Sequence, residues 1–115
     1  MIHNMKLAHK PFQMIASGQK TIELRLYDEK RQLISVGDEL CFTDAENSKQ
    51  IRARVAALHI FDSFDELYRS LSMIKCGYTP ENVSKASPDD MLKYYPYEKQ
   101  QLYKAVGIEL TLISE

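Results

Sequence analysis

The alternating segment between residues 51 and 61 constrains the fold more than any other part of this chain. Apolar residues occupy odd positions up to Ala57 and even positions from Leu58 onward. Strict alternation predicts a β-strand with one buried face. A change of parity within a strand predicts a β-bulge, which bends the strand and increases its twist. We therefore expect a sheet that curls toward a barrel.

Further strands and short helices are predicted on both sides of this segment. Alternation predicts strands at 1–7, 22–26, 40–42 and 105–113, and helical spacing predicts helices at 10–17, 64–74 and 88–95. Ser63 and Glu66 form a capping-box pattern at the start of the second helix. Short strands with antiparallel-style connections favour an α+β fold, a small and mostly antiparallel β-barrel with short helices packed around it.

Length and composition limit the class of protein. A chain of 115 residues is expected to form a single domain over 1–115. The formal charge of −1 excludes a strongly basic nucleic-acid-binding chain, although a local basic patch remains compatible with it. No apolar run approaches the roughly 18 residues of a membrane span, and no signal-peptide layout is present. Cys41 and Cys76 lack metal-ligand spacing, so we expect a reduced, cytoplasmic protein without a metal or cofactor.

The segment from Gly18 to Leu26 combines a helix stop with a short strand. Gly18 suits the left-handed position just after a helix. Alternation places apolar residues on one strand face and Thr21, Glu23 and Arg25 on the other, with Lys20 at the entrance. The polar face has two interpretations: a solvated sheet surface with ion pairs, or a ligand site held on a rigid element.

The run Gly18-x-Lys20-x-Ile22-Glu23-Leu24-Arg25 resembles the signature of the ASCH (activating signal cointegrator homology) domain. The resemblance spans nearly the whole chain and is closest to the small, stand-alone bacterial members. Other segments that carry it are Asp28-Glu29-Lys30-Arg31, Gly37-Asp38, Ser63-Phe64, Tyr95-Pro96 and Val106-Gly107-Ile108. It implies a small barrel similar to the PUA domain, a cleft lined by Lys20, Glu23 and Arg25, and binding of RNA.

A second branch of that family hydrolyses the amide of N4-acylated cytidine and reads Lys-Thr-Ile-Thr at this place. The second Thr is the proposed nucleophile there, whereas this chain has Glu23. If this chain is an amidohydrolase, Lys20, Thr21 and Glu23 are the candidate catalytic residues. Glu23 would then deprotonate a water that Lys20 positions, while Arg25 stabilises the oxyanion. A carboxylate between two cations is expected to have a lowered pKa, which makes it a poorer base.

Three hypotheses follow for the function. The first is a module that binds RNA, a nucleoside or a nucleotide through Lys20, Glu23, Arg25, Lys30 and Arg31. In this hypothesis the cations contact phosphate or base carbonyls, and Glu23 accepts from an exocyclic amino group. The second is the amidohydrolase, and the third is a structural or interaction domain without a ligand. Tyr94, Tyr95, Tyr97 and Tyr103 either stack on a base or pack against the barrel.

Overall fold

A computed structural model describes residues 1–114 and contains five strands, three α-helices and three short 3-10 helices within that range. In chain order they are β1 (Ile2–Leu7), α1 (His9–Ala16), β2 (Ile22–Tyr27), β3 (Glu39–Asp44), β4 (Gln50–Phe61), α2 (Phe64–Ser70), α3 (Tyr97–Leu102) and β5 (Lys104–Ser114). The 3-10 helices are Arg31–Leu33, Val83–Lys85 and Pro88–Lys93. None of the helices between residues 1 and 114 is long and apolar enough to cross a membrane.

The strands form one curled sheet in the order β1-β3-β4-β5-β2. Only the β1–β3 pair is parallel, and the other three pairs are antiparallel. This half-barrel with short helices confirms the predicted fold class. The two ends of the strand order, β1 and β2, approach each other, since Nη2 of Arg25 lies 3.5 Å from the carbonyl oxygen of Lys6. The sheet therefore leaves a seam between β1 and β2.

The predicted bulge in β4 is confirmed. The β4–β5 register shifts between Val55 and Ala57, next to the change of apolar parity between Ala57 and Leu58. A second shift lies between Arg52 and Ala53. An extra residue on one strand increases its local twist and bends it, so the bulge lets the long strands β4 and β5 curl around the core.

Two apolar clusters cover opposite faces of β2. Ile22, Leu24 and Leu26 pack in the cluster that contains α2 residues. Tyr27, which has the parity of Glu23 and Arg25, packs instead against the cluster that contains α1 residues. Of the two interpretations of this polar face, the solvated surface does not apply to Glu23, because only 4% of Glu23 is exposed.

The helix after Ser63 is shorter than its apolar spacing predicts. The Ser63 hydroxyl accepts a hydrogen bond from the Glu66 backbone N–H at 3.2 Å, which confirms the cap. The helix nevertheless ends at Ser70, and Leu71 is extended. A Cβ atom on Gly107 would lie 2.7 Å from Leu71 Cδ1. Leu71 thus leaves the helix to pack directly on β5, which only a glycine there permits.

Candidate functional site

The centre of the site is the carboxylate of Glu23, held between two cations. Its Oε1 lies 2.9 Å from Lys20 Nζ, and its Oε2 lies 2.7 Å from Arg25 Nε. Both oxygens of Glu23 are therefore engaged. Lys20 precedes β2 and Arg25 lies on it, so a single short segment supplies the whole triad.

Opposing effects act on the ionisation of this triad. Burial favours neutral Glu23, but the charges and hydrogen bonds of Lys20 and Arg25 outweigh burial and lower its pKa. Burial likewise disfavours the Arg25 cation, yet the Glu23 carboxylate raises the pKa of Arg25 overall. Glu23 and Arg25 therefore stay charged at neutral pH. This arrangement does not favour Glu23 as a general base, since a carboxylate with a lowered pKa binds a proton weakly.

The turn after α2 positions Lys20. The Lys75 carbonyl accepts from the backbone N–H groups of Thr21 at 2.9 Å and Ile22 at 3.0 Å. Gly77 has φ +112, and a Cβ on it would lie 3.1 Å from Lys20 Cδ. Cys76 lies beside the triad, and burial raises the pKa of its thiol to about 11, although Lys20 opposes the shift. The thiol is therefore neutral, and the turn provides a close wall for the Lys20 side chain.

A cleft of about 730 Å³ opens beside the triad. Its walls come from β1, α1, β2, α2 and the segment 76–95. Six of the 15 basic side chains line it, but only two of the acidic side chains within residues 1–114, Glu23 and Asp90. The basic residues are Lys6, Lys10, Lys20, Arg25, Arg31 and Lys93. The cleft is cationic although the chain carries a formal charge of −1.

Half of these cations are already paired. Besides the triad, Arg31 Nη1 lies 3.0 Å from an Asp28 oxygen. Within residues 1–114, Lys6, Lys10 and Lys93 form no ion pair with an acidic side chain. The buried Nε of Arg31 has no hydrogen-bond partner in that range either. The cleft therefore contains several donors that the described protein does not satisfy.

Aromatic residues from the segment between α2 and α3 form another wall. Tyr94 and Tyr95 both line the cleft. The Tyr95 ring stacks on Phe64 with centroids 6.2 Å apart, whereas Tyr94 is 60% exposed with Lys93 Nζ 5.2 Å from its ring centroid. Of the predicted tyrosine cluster, Tyr97 and Tyr103 do not line the cleft.

The structure brings together four of the residues proposed from the sequence: Lys20, Glu23, Arg25 and Arg31 all line the cleft. Thr21 and Lys30 do not line it. The backbone of Thr21 bonds to the Lys75 carbonyl, and Lys30 is exposed just before the 3-10 helix that carries Arg31.

Sequence reasoning missed several polar residues of the cleft. They include the cations Lys6, Lys10 and Lys93, the amide Asn82, and the group Tyr68, Tyr78 and Asp90. Tyr68 lies in α2, and Asp90 forms a capping box with Ser87 at the start of the 3-10 helix Pro88–Lys93. No local signal connects residues 68, 78 and 90, because the three meet only through tertiary packing.

Comparison with known proteins gives a consistent family. The ASCH domain family model matches residues 5–114. The crystal structure of hypothetical protein PH0355 is 30% identical with a TM-score of 0.79, over 98% of this chain and 100% of that one. The solution structure of protein PF0455 from Pyrococcus furiosus is 29% identical with a TM-score of 0.74, over 100% of both chains.

A more distant structure supports the fold. The ASCH crystal structure from Zymomonas mobilis is 16% identical with a TM-score of 0.66, over 96% of this chain and 66% of that one. At this identity the likeness concerns the fold alone. No curated protein matches the sequence significantly.

Proposed function

Because the chain belongs to the ASCH domain family, which is associated with RNA binding, we propose that its cleft binds a nucleotide, either free or exposed in single-stranded RNA. The observation that carries this proposal is the concentration of basic side chains in one cleft of a chain with a formal charge of −1. Phosphate is the anionic group that such donors bind in nucleic acids, through charge-assisted hydrogen bonds.

Phosphate binding is assigned to the cations that lack an acidic partner. Lys6 and Lys10 are exposed at the β1–α1 side of the cleft. Arg31 adds a buried Nε that lacks an acceptor among the described residues. A phosphate at this side accepts from these groups without breaking the Glu23 triad. The binding energy is then not reduced by the loss of an existing ion pair.

The base of the nucleotide is assigned to the tyrosine wall. Tyr94 offers an exposed ring that lines the cleft. Stacking of a base on an aromatic ring is worth about 1–3 kcal/mol and tolerates any base. Tyr95 is less suited to insertion of a base, because its ring already stacks on Phe64.

The experiment is a binding titration of a labelled short single-stranded RNA and of nucleoside 5′-monophosphates against a double variant, Lys6→Ala with Lys10→Ala. We expect at least about tenfold weaker binding. The dependence of log Kd on log salt should also flatten by about one unit per lysine between about 50 and 200 mM salt.

A matched control removes two lysines outside the cleft, Lys85 and Lys99, which are both exposed and do not line it. This control should bind like the unmodified protein. Equal loss in both double variants would mean that binding is a general charge effect. Absence of binding by the unmodified protein would reject the proposal.

A further inference from the structure

A chain of three polar groups lies on the cleft wall, apart from the Glu23 triad. The hydroxyl oxygens of Tyr68 and Tyr78 are 2.7 Å apart, and the Tyr78 hydroxyl donates to Asp90 Oδ2 at 2.7 Å. The backbone N–H of Ser87 also donates to Asp90 Oδ2, at 3.2 Å. All three side chains line the cleft.

The direction of these hydrogen bonds follows from the number of protons. A tyrosine hydroxyl has one proton, and an ionised carboxylate has none. Since Tyr78 donates its proton to Asp90, the Tyr68 hydroxyl must donate to Tyr78. The Tyr68 oxygen then has only acceptor capacity left.

The free carboxylate oxygen of Asp90 likewise can only accept hydrogen bonds. Its Oδ2 receives both hydrogen bonds, and its Oδ1 receives none from a side chain or backbone in residues 1–114. Among Tyr68, Tyr78 and Asp90, the groups left free are therefore two acceptors, Tyr68 Oη and Asp90 Oδ1, and no donor.

The two hydroxyls keep their protons at neutral pH. Burial, with the hydrogen bonds to Tyr68 and Asp90, raises the pKa of Tyr78. Burial also raises the pKa of Tyr68, although its hydrogen bond to Tyr78 opposes the shift. The direction of the hydrogen bonds between Tyr68, Tyr78 and Asp90 therefore stays the same at pH values near neutrality.

Glu23 does not offer a comparable acceptor. Both of its oxygens are held by Lys20 and Arg25, so using one for a ligand would cost part of a buried ion pair. The sequence analysis gave Glu23 the role of accepting a hydrogen bond from an exocyclic amino group. Another part of the cleft is better suited to this role. In the part of the chain that the structure describes, Asp90 is the one other acidic residue that lines the cleft.

We propose that Tyr68 and Asp90 select the base of the ligand by accepting hydrogen bonds from an exocyclic amino group. The inference rests on the proposed nucleotide function and assigns it a substrate class: bases with an amino group, rather than their oxo counterparts. Cytosine offers a donor at N4 where uracil offers an acceptor. An oxo group would face two acceptors and leave both unsatisfied.

The experiment compares two ligand pairs that differ in this group and in the protonation of the adjacent ring nitrogen, CMP with UMP and AMP with IMP, by calorimetric titration. We expect the amino member of each pair to bind about tenfold more tightly, which is about what one hydrogen bond to a charged acceptor is worth. The key variant is Asp90→Asn. Its amide oxygen can keep the bonds from Tyr78 and Ser87, while its NH2 group replaces the free acceptor with a donor.

Asp90→Asn should abolish or reverse the preference. The control is Asp89→Asn, which removes the same charge one residue away at an exposed position that does not line the cleft. It should keep the preference. Tyr68→Phe, which leaves the ring in place, should reduce the preference by several-fold and gives a second test if Asp90→Asn does not fold.

The outcomes separate the two proposals. Binding of both members of each pair with equal affinity would overturn the base selection but leave nucleotide binding intact. An unchanged amino preference in both Asp90→Asn and Tyr68→Phe would overturn the role of this wall. Failure of the four nucleotides and of the labelled single-stranded RNA to bind would reject the proposed function and, with it, this inference.

Discussion

Replacing Glu23 with Gln tests whether the buried triad is held by charge. The variant leaves Lys20 and Arg25, whose side chains are only 11% and 14% exposed, next to each other without a counter-ion. Removing one partner of a buried ion pair costs about 3–5 kcal/mol. We expect the lower end, about 3 kcal/mol, because both cations border a cleft that admits water. For a chain of this length that corresponds to a fall in Tm of about 12 °C.

Thermal and denaturant unfolding measure this loss. The matched control is Glu109→Gln, on the neighbouring strand, whose half-exposed carboxylate lies 2.8 Å from His59 Nε2. It should cost less than about 1 kcal/mol. Adding Arg25→Met to Glu23→Gln should recover part of the loss, since it removes one of the unpaired cations. A fall in Tm below about 3 °C, with no coupling between positions 23 and 25, would refute the reasoning.

The pH dependence provides a further check on the same carboxylate. The pKa of Glu23 is lowered from 4.5 in the folded state. Its charge therefore stabilises the fold above pH 4.5, and that contribution is lost as the pH falls through the lowered value. The difference in stability between the unmodified protein and Glu23→Gln should be constant above pH 4.5 and shrink below it. A difference that stays constant down to strongly acidic pH would contradict the direction of the shift.

Three further predictions follow from the geometry. Gly77→Ala should cost about 1–3 kcal/mol and weaken ligand binding, because Gly77 has φ +112 and its Cβ would crowd Lys20; unfolding and titration measure both effects. The hydrogen bond to Asp44 raises the pKa of His9 above 6.5, so the advantage in Tm of the unmodified protein over His9→Gln should be full below pH 6.5 and vanish as the pH rises through the raised value. Cys76, which is buried and has a raised pKa, should resist alkylation at pH 8 until the protein is unfolded.

Several features could be predicted from the sequence because their causes are local. The bulge in β4 follows from the parity change at Ala57, since side chains alternate between the faces of a strand. The cap at Ser63 and the left-handed Gly18, with φ +85, depend on a few neighbouring residues. The cluster of Lys20, Glu23 and Arg25 could be predicted for the same reason, since these residues are close together in the sequence.

Other features could not be predicted from the sequence, because they depend on contacts between segments that lie far apart along the chain. Alternation in β2 separates two faces but does not say that both are covered. Glu23 is buried because Lys20, Arg25 and the turn at Gly77, which contacts Lys20, enclose its side chain, while α2 packs on the opposite face of the strand. The early end of α2 has a similar origin, because Leu71 is extended and packs on Gly107 of β5 instead of continuing the helix.

The sequence by itself therefore determined the strands, their bulge, the caps, the family and the charged signature, because each depends on side chains within a few positions of one another. Tertiary structure alone decided which signature groups remain available to a ligand. Lys20 and Arg25 use both oxygens of Glu23, and Tyr68, Tyr78 and Asp90 meet across more than 20 positions of the chain. Their meeting depends on the packing of α2 and of the segment between α2 and α3 beside the seam of the sheet, which no local pattern encodes.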